Sequence, residues 1–280
     1  MKIQEVIDGL KKYHGQTWNG IQITEENTRD RILYGNADQE CTGIVTTCFA
    51  SVDVIEVAHK RNCNLIICHE ALFWNHGDHT DWLQDNSVFQ AKKSLLDSYN
   101  ICVWRDHDHI HAGIPVDGKY VDGIFYGFAE ELGWTEYIAG DTRDPRTFEI
   151  PSVTAYDLAE ELVHKLHLHG TRIIGDPDTA VHRVRVPMHI MGDQDNMYIE
   201  TTEKEHIDAL LTMELTDYTV QEYIRDSAML KKPKAIIAIG HFNIEEPGMK
   251  YVCTWLPEIT GNIPVCFVQS GDAYQYVTGE

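Results

Sequence analysis

Residues 43–70 read GIVTTCFASVDVIEVAHKRNCNLIICHE, and this stretch decides the fold. GIVTTCFA (43–50) is an apolar, β-branched strand. Ser51 is placed to cap a helix over VDVIEVAHKRN, whose Val54, Val57 and Ala58 form one apolar face. NLIIC (64–68) is a second strand, apolar on both faces, of the kind found inside parallel sheets. Strand, helix of about ten residues, strand is the βαβ unit, and it predicts a parallel sheet covered by helices. Its second strand runs straight into His69 and Glu70, an imidazole beside a carboxylate.

The pattern repeats outward. AKKSLLDSY, within 90–99, is a helix and NICVW (100–104) the next strand, while the first residues, MKIQEVIDGLKKYHG, form a helix with Ile3, Val6, Ile7 and Leu10 on one face. After GIFYGFAEELGW (123–134) comes a Pro-, Asp- and Gly-rich connection near 140–151. Thr154-Ala155-Tyr156-Asp157 then reads as a capping box opening the helix DLAEELVHKLHL. TRIIGD and HRVRVPMHI are strand candidates, a helix–strand pair surrounds HIDALLTMEL, and the chain closes with KAIIAIGHFNIEEPG, a helix through Tyr251 and Leu256, and the strand IPVCFVQS. The expected division is a first α/β lobe of residues 1–125 with 235–280, and a second of 126–234.

The 280 residues are 43% hydrophobic and 24% charged, the balance of a globular chain with a large core. No apolar run approaches the roughly 18 residues that span a bilayer, and the amphipathic start is unlike a signal peptide, so a cytoplasmic location is expected. The seven cysteines include no CxxC pair and are read as small core residues. A formal net charge of −21 opposes nucleic-acid backbones, leaving a small-molecule substrate as the expected partner.

In parallel α/β sheets ligands bind beyond the carboxyl ends of the strands. Three strands release metal-type side chains there, and all three are expected along one sheet edge. NLIIC releases His69 and Glu70; ICVW releases Asp106, His107, Asp108, His109 and His111; AIIAIG releases His241, Glu245 and Glu246. If RDHDHIH stays extended, His107, His109 and His111 share one face and Asp106 and Asp108 the other. If a helix begins at His241, Glu245 lies four residues on and one turn above it. Imidazoles with carboxylates suit zinc, manganese, iron or nickel, and two such ions close together make a hydrolytic centre. Neighbouring His69 and Glu70 diverge from a regular strand and are read as facing two ions. His76 and His79 lie in a tryptophan-containing loop read as solvated.

These residues resemble the Nif-three-like family of dinuclear-metal-centre hexameric proteins, often labelled GTP cyclohydrolase I type 2, almost end to end. The family's His-His-Pro-Leu-x-Phe segment is matched by HEALFW (69–74), and its His-x-x-x-Asp segment by His107 to His111. Thr-Gly-Glu is matched loosely by Thr212-Met213-Glu214, and Gly-His-x-x-x-Glu by Gly240 to Glu245. The second histidine of the usual pair is Glu70 here, and the usual aspartate position falls on His111. Carried over residue by residue, the resemblance implies His69, Glu70, His111, His241 and Glu245 as ligands of two divalent ions, with Asp106 or Asp108 replacing His111 in another loop register. The two exchanges leave the count at three histidines and two carboxylates. The resemblance further implies two similar α/β lobes with mixed or parallel sheets flanked by helices, metals in the cleft between them, and a homo-hexamer. His107 is then a candidate proton shuttle and Glu214 a base or orienter in a metal-dependent hydrolase acting on a small polar, nucleotide-like or phosphorylated molecule. The competing reading is a non-catalytic metal-delivery protein or a hexameric scaffold.

Overall fold

The computed structural model describes residues 1–192 and 196–277. The chain forms two compact units, residues 1–127 with 248–270 and residues 128–247 with 271–280.

The first unit opens with α1 (Ile3–Tyr13), whose Ile3, Val6, Ile7 and Leu10 are all buried. Their i, i+3, i+4, i+7 spacing puts them on one stripe, and each contributes about 1.5–3 kcal/mol by leaving water. A short hairpin follows, β1 (Thr17–Trp18) and β2 (Ile21–Gln22). Its turn residues Asn19 and Gly20 have φ of 50° and 77°, the pair of positive values a two-residue hairpin turn requires and Asn-Gly supplies. The main sheet has β3 (Ile32–Tyr34), β4 (Ile44–Thr47), β5 (Leu65–Cys68) and β6 (Cys102–Arg105), in the order Val265–Phe267, β4, β5, β6, β3. All neighbours are parallel except β3, which pairs antiparallel with β6. β4, β5 and β6 are buried along their whole length, as strands covered on both faces must be. One face packs Val45, Ile66 and Val103 against α2 (Val52–Lys60) and α3 (Ser87–Tyr99). Ser51 caps α2 by accepting from the Val54 N–H, as expected. On β4, Thr46 Oγ1 donates to the Met249 carbonyl at 2.8 Å. The unit is completed by α4 (Asp108–Ala112), the hairpin β7 (Ile114–Val116) with β8 (Lys119–Val121), and the first half of α5 (Gly123–Leu132).

The second unit is a six-stranded mixed sheet. It contains β9 (Ile138–Ala139), β10 (Thr147–Thr154), β11 (Arg172–Gly175), β12 (Ala180–Arg185), β13 (Ala209–Thr212) and β14 (Ala235–Ala238), in the order β11, β14, β13, β12, β10, β9. Pairing is parallel from β12 through β13 to β14 and antiparallel elsewhere. The helices are α6 (Ala155–Lys165), opened by Thr154 accepting from the Asp157 N–H, α7 (Met197–Lys204), α8 (Val220–Met229) and the start of α9 (His241–Thr260). Leu210 and Ile236 pack with Val220 and Ile224.

The division differs from the expected one. β14 hydrogen-bonds to β13 and β11, so residues 235–247 belong to the second unit, and the three ligand-bearing strand ends are not on one sheet. A four-residue apolar strand such as AIIA carries no mark of its partner, so its sheet was not legible from periodicity. All seven cysteines are free thiols and Cys48, Cys63, Cys68 and Cys102 are buried. Cys253 lies in α9, the helix expected through Tyr251 and Leu256. Among the described residues no helix is long and apolar enough to cross a membrane.

Candidate metal centre

Two donor clusters lie where strands end, one in each unit. In the first, β5 delivers His69 and β6 delivers the turn that carries His107 and His111. That turn is the helix α4, so the extended geometry expected for RDHDHIH does not occur. The reason is Asp30. Its carboxylate accepts from the backbone N–H groups of His107 (2.6 Å), Asp108 (2.9 Å) and His109 (2.8 Å), the amides that begin a helix and need an acceptor. In helical geometry residues four apart share a face, which puts His107 and His111 together and sends His109 elsewhere, its Nδ1 bonded to Asp30 at 2.6 Å.

His69, His107 and His111 offer ligand atoms within 4.8 Å of one another, all buried. Each has Nδ1 tied to an acceptor: His69 to the Asp106 carbonyl (3.0 Å), His107 to Asp108 (2.8 Å) and His111 to Asp122 (2.8 Å). An acceptor fixes the proton on Nδ1 and leaves the Nε2 lone pair toward the cluster, the arrangement found behind metal-bound histidines. Burial drives both the His69 and His107 imidazoles down to about 3, so these two donors are neutral, as ligation requires. The His69 and His107 rings stack at 4.6 Å, and Trp18, aimed by the Asn-Gly hairpin, stacks on His111 at 5.2 Å and 8°.

Glu70 also offers a ligand atom within 4.8 Å of His69, because the chain leaves strand geometry after Cys68. Its Oε2 accepts from Arg105 Nη2 at 3.0 Å, and Arg105, fully buried, also donates to the carbonyls of His69 and His76. Asp108 is occupied by His107, Arg29 and Thr28, and Asp106 meets His14 at 3.0 Å. Neither aspartate is in a donor group among the described residues. His76 has a half-exposed ring edge-on to His107 at 5.5 Å, and His79 lies in the exposed loop.

In the second unit α9 begins at His241, as expected, and His241 Nε2 stands 3.1 Å from Glu245 Oε2 across one turn. Glu214, at the end of β13, joins His241 Nδ1 (2.5 Å) to His189 Nδ1 (2.6 Å), and the three form a second donor group. Burial alone would raise the Glu214 carboxyl; the bonds from His189 and His241 outweigh it and hold it down to about 2. The bond from Glu214 raises His189 in turn. With its proton toward Glu214, a neutral His241 turns a lone pair to a carboxylate oxygen, an arrangement that either a second proton on the ring or a shared cation would satisfy. Two ligands about 2.1 Å from one ion, at roughly a right angle, are about 3 Å apart, so the pair fits a shared divalent ion. His189 was not anticipated; it lies inside the expected strand HRVRVPMHI, which ends at Arg185.

The Duf34/NIF3 (NGG1p interacting factor 3) family model matches residues 10–272. A Clostridium acetobutylicum protein described as a GTP cyclohydrolase 1 type 2 homolog is 22% identical over 233 residues, 82% of this chain and 81% of that one. Among solved structures, a Bacillus cereus protein related to NIF3 superposes with a TM-score of 0.71 over 99% of each chain at 13% identity. The Staphylococcus aureus protein SA1388 does so at 0.70, again over 99% of each chain, with 16% identity. With a family model covering nearly its whole length and the same fold in these relatives, the chain belongs to the Duf34/NIF3 family.

Proposed function

We propose that this chain is a metal-dependent hydrolase with a dinuclear centre, acting on a small polar, nucleotide-like or phosphorylated molecule. The observation that carries the proposal is the buried trio His69, His107 and His111, each with Nδ1 held by an acceptor. The proposed ligands are His69, Glu70, His107 and His111 from the first unit and His241 and Glu245, with His189, from the second. His107, expected as a proton shuttle, is better suited to ligation, because an imidazole held near 3 carries no proton to deliver at neutral pH. Divalent ions at these residues would supply Lewis acidity and lower the pKa of a water toward neutrality.

The chain's own groups have definable tasks in this reading. Arg105 pins Glu70 and compensates its charge. Glu214 orients His241 by holding its Nδ1 proton. Trp18 covers the His111 ring and excludes water from that side. The C. acetobutylicum relative's description as a GTP cyclohydrolase homolog favours a purine nucleotide within the proposed substrate class. A homo-hexamer, implied by the family resemblance, belongs to the same proposal and is testable by light scattering.

The deciding experiment is metal content per chain by plasma mass spectrometry, with His69→Ala as control, followed by a panel of nucleotides, phosphoesters and cyclic amides assayed with Mn²⁺, Zn²⁺ or Fe²⁺. About two equivalents, reduced in the control, with turnover lost in a folded Glu245→Gln variant, is the expected result. Bound metal with no turnover of any panel member would favour delivery or a scaffold, and no metal after reconstitution would remove the hydrolase.

A further inference from the structure

Gly43 leads into β4, its carbonyl already paired with the Leu65 N–H. It has no side chain, and a thiol takes the place of one: a Cβ at Gly43 would sit 2.8 Å from Cys63 Sγ. The neighbouring strand is the edge strand Val265–Phe267, in which Cys266 is the register partner of Val45. Register partners share a face of the sheet, as do residues two apart on one strand, so Gly43, Val45 and Cys266 look the same way. That face packs on α2 and α3. Its core contains Val45 and Cys63, with Cys266 packed against it. The bare backbone of Gly43 lets the Cys63 sulfur, arriving from the turn after α2, settle beside Cys266. All of these residues belong to the first unit.

The two thiols differ in kind. Cys63 is 4% exposed, whereas Cys266 is half-buried. Cys63 and the exposed Arg61 at the end of α2 both hydrogen-bond to the Cys266 sulfur. These bonds, that from Cys63 foremost, outweigh burial and hold the Cys266 thiol below the ordinary thiol range. Other cysteines go the opposite way: burial pushes Cys41 up to about 11, and Cys68 and Cys102 up to about 12. A partly exposed thiolate beside a guanidinium is the nucleophilic form of cysteine. A second thiol in contact with it is placed to displace whatever becomes attached to it.

We propose that Cys266 and Cys63 are a reversible dithiol site, separate from the metal centre, that reacts with small disulfides of the glutathione class. Cys266 Sγ attacks one sulfur of the disulfide, and the other half leaves as a thiolate. Cys266 is also what most raises the Cys63 thiol, so capping it frees Cys63 to lose its proton. Cys63 Sγ then attacks Cys266 Sγ, and the second half leaves as a thiolate. The chain gives up two electrons and two protons, and the small disulfide becomes two thiols. The new bond fastens the edge strand to the turn after α2.

The probe is oxidised glutathione on the reduced full chain at neutral pH, followed by alkylation and peptide mass mapping without reductant. A Cys63–Cys266 disulfide, reversed by dithiothreitol, is the expected product, and Cys63→Ser should instead accumulate a glutathione adduct on Cys266. A second measurement needs no change in the core: the pH profile of iodoacetamide alkylation at Cys266. Its midpoint should lie below the ordinary thiol value of about 8.5, and Arg61→Gln, a surface change, should move it up. Cys266 left fully alkylatable after oxidised glutathione, a wild-type adduct that Cys63 never displaces, a disulfide from Cys266 to Cys41 instead, or an alkylation midpoint at or above about 8.5 would each overturn the proposal.

Discussion

Replacing Asp30 with asparagine tests whether one carboxylate shapes the histidine turn. Asp30 is 1% exposed and accepts four hydrogen bonds, three from successive backbone amides and one from the His109 ring. Asparagine keeps one acceptor oxygen but turns an NH₂ group toward N–H donors, so about two of the four contacts are lost. At about 1.5–3 kcal/mol for a bond to a charged acceptor, the expected loss is about 3–6 kcal/mol. That is a large part of the roughly 5–15 kcal/mol that holds a domain. Urea unfolding followed by circular dichroism, in a chelator so that metal does not contribute, measures it directly. The pH dependence has a definite sign. Burial pushes the Asp30 carboxyl up, but the His109 ring and the backbone amides outweigh it and hold it below the ordinary range. Its contribution is therefore present above the unfolded value near 4 and disappears as pH falls through the lower folded value, so the gap between variant and wild type should close in acid. Burial pushes His109 down, but Asp30 prevails and raises it; its share is complete below about 6.5 and fades as pH climbs through the raised value. A loss under about 1 kcal/mol at pH 7, with metal content unchanged, would refute the idea that Asp30 builds the turn.

Lys92 is 4% exposed, donates to the Leu72 carbonyl and sits 4.5 Å over the Phe49 ring; burial lowers its amine to about 8. Since the unfolded chain then binds more protons between about pH 8 and 10.5, stability should rise with pH across that window, and Lys92→Met should flatten the rise when melting is followed against pH. Trp18→Ala should cost about 0.5–1.5 kcal/mol from the lost stack on His111, read in the melting temperature, and a larger factor in metal retention. Glu214→Gln should lower the metal content by about one equivalent while costing only about 1 kcal/mol of stability, since the side chain is 35% exposed and solvent screens it. The part of that stability due to the Glu214 charge should vanish as pH falls from about 4.5 toward 2, the depressed folded value.

Much of the first unit could be read from the chain. Ser51, the apolar run before His69 and the spacing of Ile3, Val6, Ile7 and Leu10 are local signals, and each element formed where the signal stood. The one-turn separation of His241 and Glu245 was legible for the same reason, because a helix start fixes its own geometry. What failed were inferences that depend on distant residues. RDHDHIH was read as extended because nothing within it announces Asp30, 77 residues before His107, whose carboxylate makes it helical. β14 was assigned to the wrong sheet because its four apolar residues suit either. His189 was missed because its link to the centre runs through Glu214, 25 residues later, and no spacing rule connects them.

The acceptors behind His107 and His111 have a consequence for selectivity. In the first cluster the carboxylates of Asp108 and Asp122 stand one ring away from the donor atoms, and Glu70 is balanced by Arg105. The cluster therefore offers three imidazole nitrogens and little anionic charge of its own. Hard ions such as Mg²⁺ and Ca²⁺, which take oxygen, would find poor purchase there, whereas ions of borderline softness such as Zn²⁺, Fe²⁺ or Ni²⁺ would bind in the order of their affinity for imidazole. The carboxylate-bearing set around His241 is the harder of the two. If both donor groups hold metal as proposed, their unequal hardness should fill them in sequence and, in a mixture of metals, with different ones.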